Sequence, residues 1–174
     1  MAICAVYQGY TRDCRDAIGG IKTVYFTELG NKNTLTSASG LATAFTLNVG
    51  KQFFKYDLEL GVGTADQTDT PNAPNGSFFV EQNLNITIPK HNASISYSMK
   101  TLAVTDLMAI VEKNDGTFWL MGQVNGMKMQ PSKNPWGKAL GDLNGYELVY
   151  KGMEPNEAIQ IPANLIATLS APAV

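Results

Sequence analysis

Charged side chains are scarce in this sequence. Lysine, arginine, aspartate and glutamate together make up 16% of the 174 residues, against roughly 25% in a typical soluble domain. Two explanations fit so weakly charged a surface: either an assembly covers part of it, or the chain is a loop-rich β protein with a neutral polar surface. The net charge of −2 argues against a free nucleic-acid binder, which needs a basic face to displace counterions from phosphates. The net charge does not exclude a protein that forms the wall of a channel through which DNA moves.

Cysteine and histidine are nearly absent, which removes most thiol and metal chemistry. The chain has Cys4, Cys14 and a single histidine, His91. Zinc needs paired Cys and His ligands at close spacing, and these three residues do not supply it. The sequence starts without the basic and long apolar regions of a signal peptide, so we expect both thiols to be reduced, although their state stays open. No apolar run approaches the roughly 18 residues of a membrane span.

The motifs of common enzyme sites are also missing. No G-x-S-x-G nucleophile elbow occurs, and Gly61-Val62-Gly63 is not a dinucleotide fingerprint. Asp66 and Asp69 only faintly resemble a calcium loop, and a Cys14–His91 pair has nothing else to support it. A hydrolase using the carboxylates Asp57, Glu59 and Glu81 is conceivable, but a solvated or inter-subunit strand face is the usual explanation for them. We predict no enzyme activity, no catalytic residue, no cofactor and no metal ion.

Period-two alternation is the clearest pattern present. In SFFVEQNLNITI, residues 77–88, apolar residues at 78, 80, 84, 86 and 88 oppose polar residues at 81, 83, 85 and 87. Such alternation predicts a strand with one dry and one wet face. QFFKYDLEL, residues 52–60, repeats it, with 54, 56, 58 and 60 on the apolar face. Further strands are predicted at 21–29, 43–49, 107–113, 117–123 and 146–152.

Turns and one helix connect these strands. Asn114-Asp115-Gly116 predicts a tight hairpin, and Asn144-Gly145 a turn. In NASISYSMKTLAVT, apolar residues recur at helical spacing after a capping Asn92 or Ser94, which predicts one short helix. The polar stretch 61–76 predicts a long loop. The expected fold is therefore mainly β: an antiparallel sandwich or barrel with one flanking helix, in a single domain covering 1–174.

The two ends of the chain carry a family resemblance. The start contains Asp13-Cys14-Arg15-Asp16 and Gly19-Gly20-Ile21, and the end contains GDLNGYEL at 141–148 followed by Gly152 and Glu154. In this order and spacing, together with the helix and the hairpin, they resemble tailed-bacteriophage tail or major tail-tube proteins. The resemblance implies hexameric rings that stack into a virion tube for genome passage, assembled in the host cytoplasm.

That resemblance also implies the partners: further copies of the chain, other tail or connector proteins, and DNA passing through the lumen without specific contacts, with no membrane. It implies that the 61–76 loop and the terminal arms join successive rings. Here the N-terminal arm is about 1–20 and the C-terminal tail about 160–174. Two alternatives stay open: a ring at a head–tail junction or in a short tail, and a non-catalytic carbohydrate-binding sandwich. Trp119, Trp136, Tyr146 and Tyr150 could stack a sugar, although packing is the commoner role of such aromatics.

Two structural predictions follow from these patterns. Strands 52–60 and 77–88 are expected to pair antiparallel and to share one wet face. Segment 51–88 has a net charge of −3, and this face is therefore expected to repel DNA. That face contains Lys55, Asp57, Glu59, Glu81, Asn83 and Asn85. The stretch YTRDCRDAIGGI, residues 10–21, is expected to be a docking arm in which Arg12, Asp13, Arg15 and Asp16 balance in charge, Cys14 is an inert thiol, and Gly19-Gly20 turn the chain into a strand.

Overall fold

The structure is a computed structural model, and it describes residues 9–11, 14 and 17–170. The fold is mainly β, as predicted, with 49% of the residues in strands. Its strands are β1 Ile21–Glu28, β2 Lys32–Ala38, β3 Leu41–Leu47, β4 Phe54–Asp57, β5 Thr64–Asn72, β6 Ser77–Pro89, β7 Leu107–Lys113, β8 Phe118–Met121, β9 Met127–Met129, β10 Gly145–Glu154 and β11 Ile159–Ile161. The helices are α1 Ala93–Val104 and α2 Ala163–Leu169.

The strands form two layers joined at one point. The larger layer has the order β4-β1-β7-β8-β11-β3-β2, and the smaller has β9-β10-β6-β5. They meet where Leu107 of β7 pairs with Met127 of β9. The pairs are antiparallel except for β3 and β11, which are parallel at Leu41 and Gln160. The sheet is therefore mixed rather than purely antiparallel.

Two hydrophobic clusters hold these layers. The first fills the space between the layers, where Phe26 of β1 lies 5.0 Å from Tyr150 of β10, measured between ring centroids. The second covers the other face of β1 and β7 with residues of β3, β11 and α2. Because β7 lies between the two clusters, its first five residues are all buried. A strand covered on both faces has no reason to alternate.

The predicted helix is confirmed as α1. The side chain of Asn92 accepts a hydrogen bond from the Ser94 backbone N–H at 2.9 Å, the expected N-cap interaction. Leu102 of α1 is buried in the first cluster, and Ile95 and Met99 pack against that cluster. The helix thus closes one side of the space between the two layers.

Three sequence predictions are wrong. Strand β4 pairs with β1, and β6 pairs with β5 and β10, so 52–60 and 77–88 are not partners. Alternation identifies the faces of a strand but not its neighbour. The predicted loop 61–76 contains strand β5, whose exposed polar residues hide its strand character. The predicted tail 160–174 contains the end of β11 and helix α2, a second helix that was not expected.

The wet and dry faces predicted for the first pair exist on each strand, but the two strands do not share a wet face. Val80, Leu84 and Ile86 are buried while the residues between Val80 and Leu84 at 81 and 83 are at least partly exposed. Tyr56 of β4 and the following Leu58 pack against the first cluster as predicted, although Phe54 on the same face is 57% exposed. Lys55 and Asp57 share no face with the polar residues of β6, because β4 lies in the other layer.

The entry to β1 agrees with the predicted glycine turn. Gly20 has φ +91°, a conformation that a side chain rarely adopts. Its carbonyl accepts a hydrogen bond from Asn114 N at 3.1 Å, and the Asn114 side chain donates to Gly19 O at 2.8 Å. The hairpin at 114–116 thereby fixes the start of β1. Arg12, Asp13, Arg15 and Asp16 of the predicted arm, and Cys4, lie outside the described residues.

Candidate assembly surface

The β5–β6 hairpin extends beyond the rest of its layer. Its two strands pair from Thr64 and Asn85 to Asn72 and Ser77, but β10 covers β6 only from Val80 onward. The last three pairs and the turn at 73–76 therefore project past β10. Phe78 lies in this projecting part and is 51% exposed. An apolar ring on a protruding hairpin is well placed to contact another molecule.

The outer edge of β5 is open. Strand β5 pairs with β6 along one edge, and no strand within the described part of the chain pairs with the other. An open edge offers a row of backbone N–H and C=O groups to a further strand. Pro71 near its end removes one donor, a device that limits uncontrolled pairing. Among the described residues, the backbone groups of this edge along Thr64–Thr70 have no partner strand.

The outer face of the small layer is polar and internally bonded. Between the neighbouring strands β6 and β5, Asn85 Nδ2 donates to Thr64 Oγ1 at 3.3 Å, and Asn83 Nδ2 donates to Asp66 Oδ2 at 3.1 Å. Lys151 Nζ lies 2.9 Å from Glu81 Oε1. The hydrogen bond from Lys151 lowers the pKa of the Glu81 carboxyl. The polar groups of this face are therefore largely satisfied by one another.

Large apolar side chains are exposed at several other places. Val49, Leu60, Tyr97, Val104, Trp136 and Leu140 are each more than three-quarters exposed. Single exposed apolar residues are ordinary.

The lone histidine lies in an aromatic cluster. The ring of His91 packs edge-on against Tyr146, with centroids 4.5 Å apart, and against Trp136 at 5.9 Å. Its Nε2 lies 3.1 Å from the carbonyl oxygen of Pro135, which can only accept, so this nitrogen carries the proton. The contacts position the 130–144 loop on the start of α1. Cys14 is exposed, and no contact between it and His91 is found among the described residues.

The other sequence candidates are separated by the fold. Asp66 and Asp69 are three residues apart in β5, so their side chains leave opposite faces of the strand and cannot hold one ion between them. Within the described residues, no group of three or more His, Cys, Asp or Glu side chains could hold a metal ion. Glu81 lies on the small layer and Asp57 on the large one.

Of the four aromatics considered for sugar stacking, three are packing residues. Tyr146 and Tyr150 are buried in the first cluster. Trp119 packs against that cluster and donates its Nε1–H to Thr117 Oγ1 at 3.0 Å. Trp136 is the exposed one, at 82%.

A buried polar network was not foreseen from the sequence. Gln82 is fully buried; its Oε1 accepts from Gly122 N at 2.8 Å, and its Nε2 donates to Gln67 Oε1 at 3.2 Å. Gln67 Oε1 also accepts from Ala158 N at 2.7 Å. The network ties β6, β5, the turn after β8 and the start of β11 together. Its one sequence signal is that Gln82 interrupts the apolar positions of β6.

Glu154 closes the turn between β8 and β9. Its buried carboxylate accepts hydrogen bonds from the backbone N–H groups of Val124, Asn125 and Gly126 at 3.0, 2.8 and 3.1 Å. Removal from water raises the pKa of this carboxyl, and the three hydrogen bonds only partly oppose that rise. The arrangement explains a turn conformation, not a reaction site.

Two grooves lie at the open sides of the sandwich. One, of about 440 Å³, lies between β5 and the β7–β8 hairpin, with Gly63 and Trp119 in its walls. The other, of about 780 Å³, lies between α1 and β4 and is lined by Tyr56, Ser98 and Thr101 among others. Neither contains a nucleophile–base pair. In the part of the chain described, no helix is long and apolar enough to cross a bilayer.

Comparisons with protein-family models, with curated proteins and with solved structures find no match for this chain.

Proposed function

We propose that this protein is a structural subunit of a bacteriophage tail, and that copies of it form rings that stack into a tube for the genome. The observation that carries the proposal is the β5–β6 hairpin, with its open edge and its exposed Phe78 on a projecting tip. A monomer gains nothing from such an arm, whereas a ring subunit needs one to reach its neighbour. The partners are further copies of the chain and other tail proteins, and the location is the virion.

The outer face of the small layer is proposed to line the bore. It combines Asn and Thr side chains with Asp66, Glu81 and Glu147 against Lys128, Lys133 and Lys151, a net charge of 0. A lining without a net positive charge holds DNA phosphates only weakly, so the genome can pass. The expected net charge of −3 does not apply to this face, because the residues summed for that value are divided between two layers.

The hairpin can be tested by one substitution and a matched control. Phe78→Ser should reduce the ring fraction at least about fivefold, since a central apolar contact contributes more than about 1 kcal/mol. Phe54→Ser is the control, because Phe54 is similarly exposed but lies on β4 of the other layer. Native mass spectrometry over a wide concentration range and electron microscopy give the ring fraction. A wild-type protein that stays monomeric throughout would refute the proposal.

The effect of deleting the hairpin depends on where the cut is made. Removing 61–76 would delete β5 and expose the edge of β6, so the domain should lose stability, contrary to the expectation for a loop. Shortening only the turn and the projecting pairs should leave the fold intact and impair ring stacking. Circular dichroism and ring counting together separate the two outcomes.

A carbohydrate-binding module is the second candidate, and exposed Trp136 is the observation that favours it. A glycan array distinguishes the two, since a tube subunit should bind no sugar. Binding that Trp136→Ala abolishes would favour the module. A ring at a head–tail junction shares the proposed chemistry and differs only in its position in the particle.

A further inference from the structure

The sequence contains three Asn-Gly pairs, and each lies at the start of a strand. The pairs are Asn75-Gly76 before β6, Asn125-Gly126 before β9 and Asn144-Gly145 at β10. In an Asn-Gly pair the glycine nitrogen can attack the side-chain carbonyl carbon of the asparagine, because glycine has no Cβ to hinder the approach. All three asparagines are exposed, so the surroundings of the glycine nitrogen decide which pair can react.

The pair at 125–126 is held by hydrogen bonds on both reacting groups. Gly126 is buried, and its N–H donates to Glu154 Oε1 at 3.1 Å. The side-chain Nδ2 of Asn125 donates to Met153 O at 2.7 Å. Attack by the glycine nitrogen requires these hydrogen bonds to break, so the fold protects this pair.

The pair at 144–145 is held by the strand that it begins. Gly145 is buried, and its N–H donates to Pro135 O at 3.1 Å. The carbonyl oxygen of Asn144 accepts a hydrogen bond from Lys90 N at 2.7 Å. The packing is so close that a Cβ on Gly145 would clash with Ile88 O. The glycine nitrogen therefore cannot turn toward the asparagine side chain unless this end of β10 opens.

The pair at 75–76 lies on the projecting tip of the β5–β6 hairpin and is held far less firmly. Gly76 is exposed, and its N–H donates to Ala73 O at 3.3 Å, beyond the usual range for such a bond. A Cβ on Gly76 would meet no other atom within 4 Å. Among the described residues, the hydrogen bond that Asn75 makes comes from its backbone N–H, to Asn72 Oδ1 at 3.4 Å. The side-chain amide and the attacking nitrogen are thus both accessible.

We propose that Asn75 is a site of spontaneous deamidation, which the fold selects from the three pairs. Gly76 N loses its proton to the solvent and bonds to Asn75 Cγ, and ammonia leaves to give a cyclic imide. Water then opens the imide at either carbonyl, which gives aspartate or isoaspartate at position 75. Each product places a new carboxylate on the tip that also contains Phe78. The reaction needs no partner, so the inference does not depend on the proposed ring function.

Ageing of the full-length chain at mildly alkaline pH tests the proposal, with the monomer isolated by size exclusion. Trypsin separates the three pairs into the peptides 56–90, 114–128 and 139–151, and fragment mass spectra locate each modified asparagine. Asn75 should deamidate at least about tenfold faster than Asn125 or Asn144, the factor that corresponds to one hydrogen bond that must open. In guanidinium chloride, which unfolds the chain, the three rates should converge.

Amide hydrogen exchange gives a second measurement that does not depend on the chemistry. Gly76 N–H should exchange at least about tenfold faster than the N–H groups of Gly126 and Gly145, and asparagine precedes all three. Asn75→Ser is the matched control and should abolish the isoaspartate signal of peptide 56–90.

Two outcomes would overturn the proposal. One is a rate at Asn75 in the folded monomer that is no faster than the rates at Asn125 and Asn144. The other is a preference for Asn75 that persists in guanidinium chloride, because the local sequence rather than the fold would then select the site.

Discussion

Strands β6 and β7 are both central in their layers, but they differ in what covers them. Strand β7 has a hydrophobic cluster on each face, and its first five residues are buried. Strand β6 has one buried face, and its other face is a row of Asn, Thr and Glu side chains. The difference separates two kinds of surface: β7 is covered on both faces by the core, and β6 leaves one polar face open.

The sharpest test of that division compares one residue from each strand. Ile110→Ala in β7 should lower the free energy of unfolding by about 2–5 kcal/mol, because it leaves a cavity in the second cluster. Asn83→Ala on the outer face of β6 should change it by less than about 0.5 kcal/mol. Urea unfolding of both variants gives the values. Similar losses would mean that the outer face of β6 also holds the fold.

The next largest effect is expected at Glu154. A glutamine there offers one acceptor oxygen and places an NH₂ group against a backbone donor, so Glu154→Gln should cost about 1–3 kcal/mol. The folded-state pKa of Glu154 is raised. The contribution of this carboxyl to the free energy of unfolding is therefore greatest below pH 4.5, its ordinary pKa, and declines as the pH rises through the folded-state pKa. The gap between wild type and variant should therefore narrow above pH 4.5 in unfolding experiments.

Tyr150 offers a change of the opposite sign. Its hydroxyl is buried without a hydrogen-bond partner in the described structure, and burial raises its pKa. Tyr150→Phe removes this unpaired group while keeping the ring beside Phe26, so stability should rise by up to about 1 kcal/mol. A lower thermal midpoint in the variant would show that a buried water molecule bonds to the hydroxyl.

The smallest effect is expected in the β7–β8 hairpin. Hydrogen bonds from Thr117 and Lys113 lower the pKa of Asp115 to about 2. That depressed pKa stabilises the fold above pH 3.8, and the contribution is lost as the pH falls toward 2. The side chain is 33% exposed, so Asp115→Asn should cost less than about 1 kcal/mol at pH 7. Thermal melts at pH 7 and pH 2 should show the difference disappearing at the lower value.

The sequence allowed the elements with strong periodicity to be predicted, and β6, β7 and α1 are where they were expected. Strand β5 was missed because only Ala65 and Thr70 among its nine residues are partly buried, so it has no apolar alternation. Helix α2 was missed although Leu165, Ile166 and Leu169 have helical spacing after Pro162. The pairing of β4 could not be found, because partner choice depends on the whole sheet.

The assembly surface was less predictable than the fold. The polar face of β6 follows from alternation alone, and the hairpin position was recognised, although as a loop. Its projection past β10 depends on the relative lengths of three strands, which no local pattern contains. The Gln82 network depends on contacts between residues 67, 82, 122 and 158, which only the folded chain brings together.

The position of β11 has a consequence for the time order of folding. Among the strands that the structure describes, the β2–β3 hairpin pairs with the rest of its layer only through β11, at Gln160 and Leu41. During synthesis the hairpin must therefore wait for more than a hundred further residues, on the order of ten seconds at ribosomal speed. Until then Phe45 has Phe53, 5.8 Å away between ring centroids, but lacks the residues of β11 and α2 that complete the second cluster. The rate of translation thus delays completion of the fold. Chaperones that bind exposed apolar strands can act during that interval.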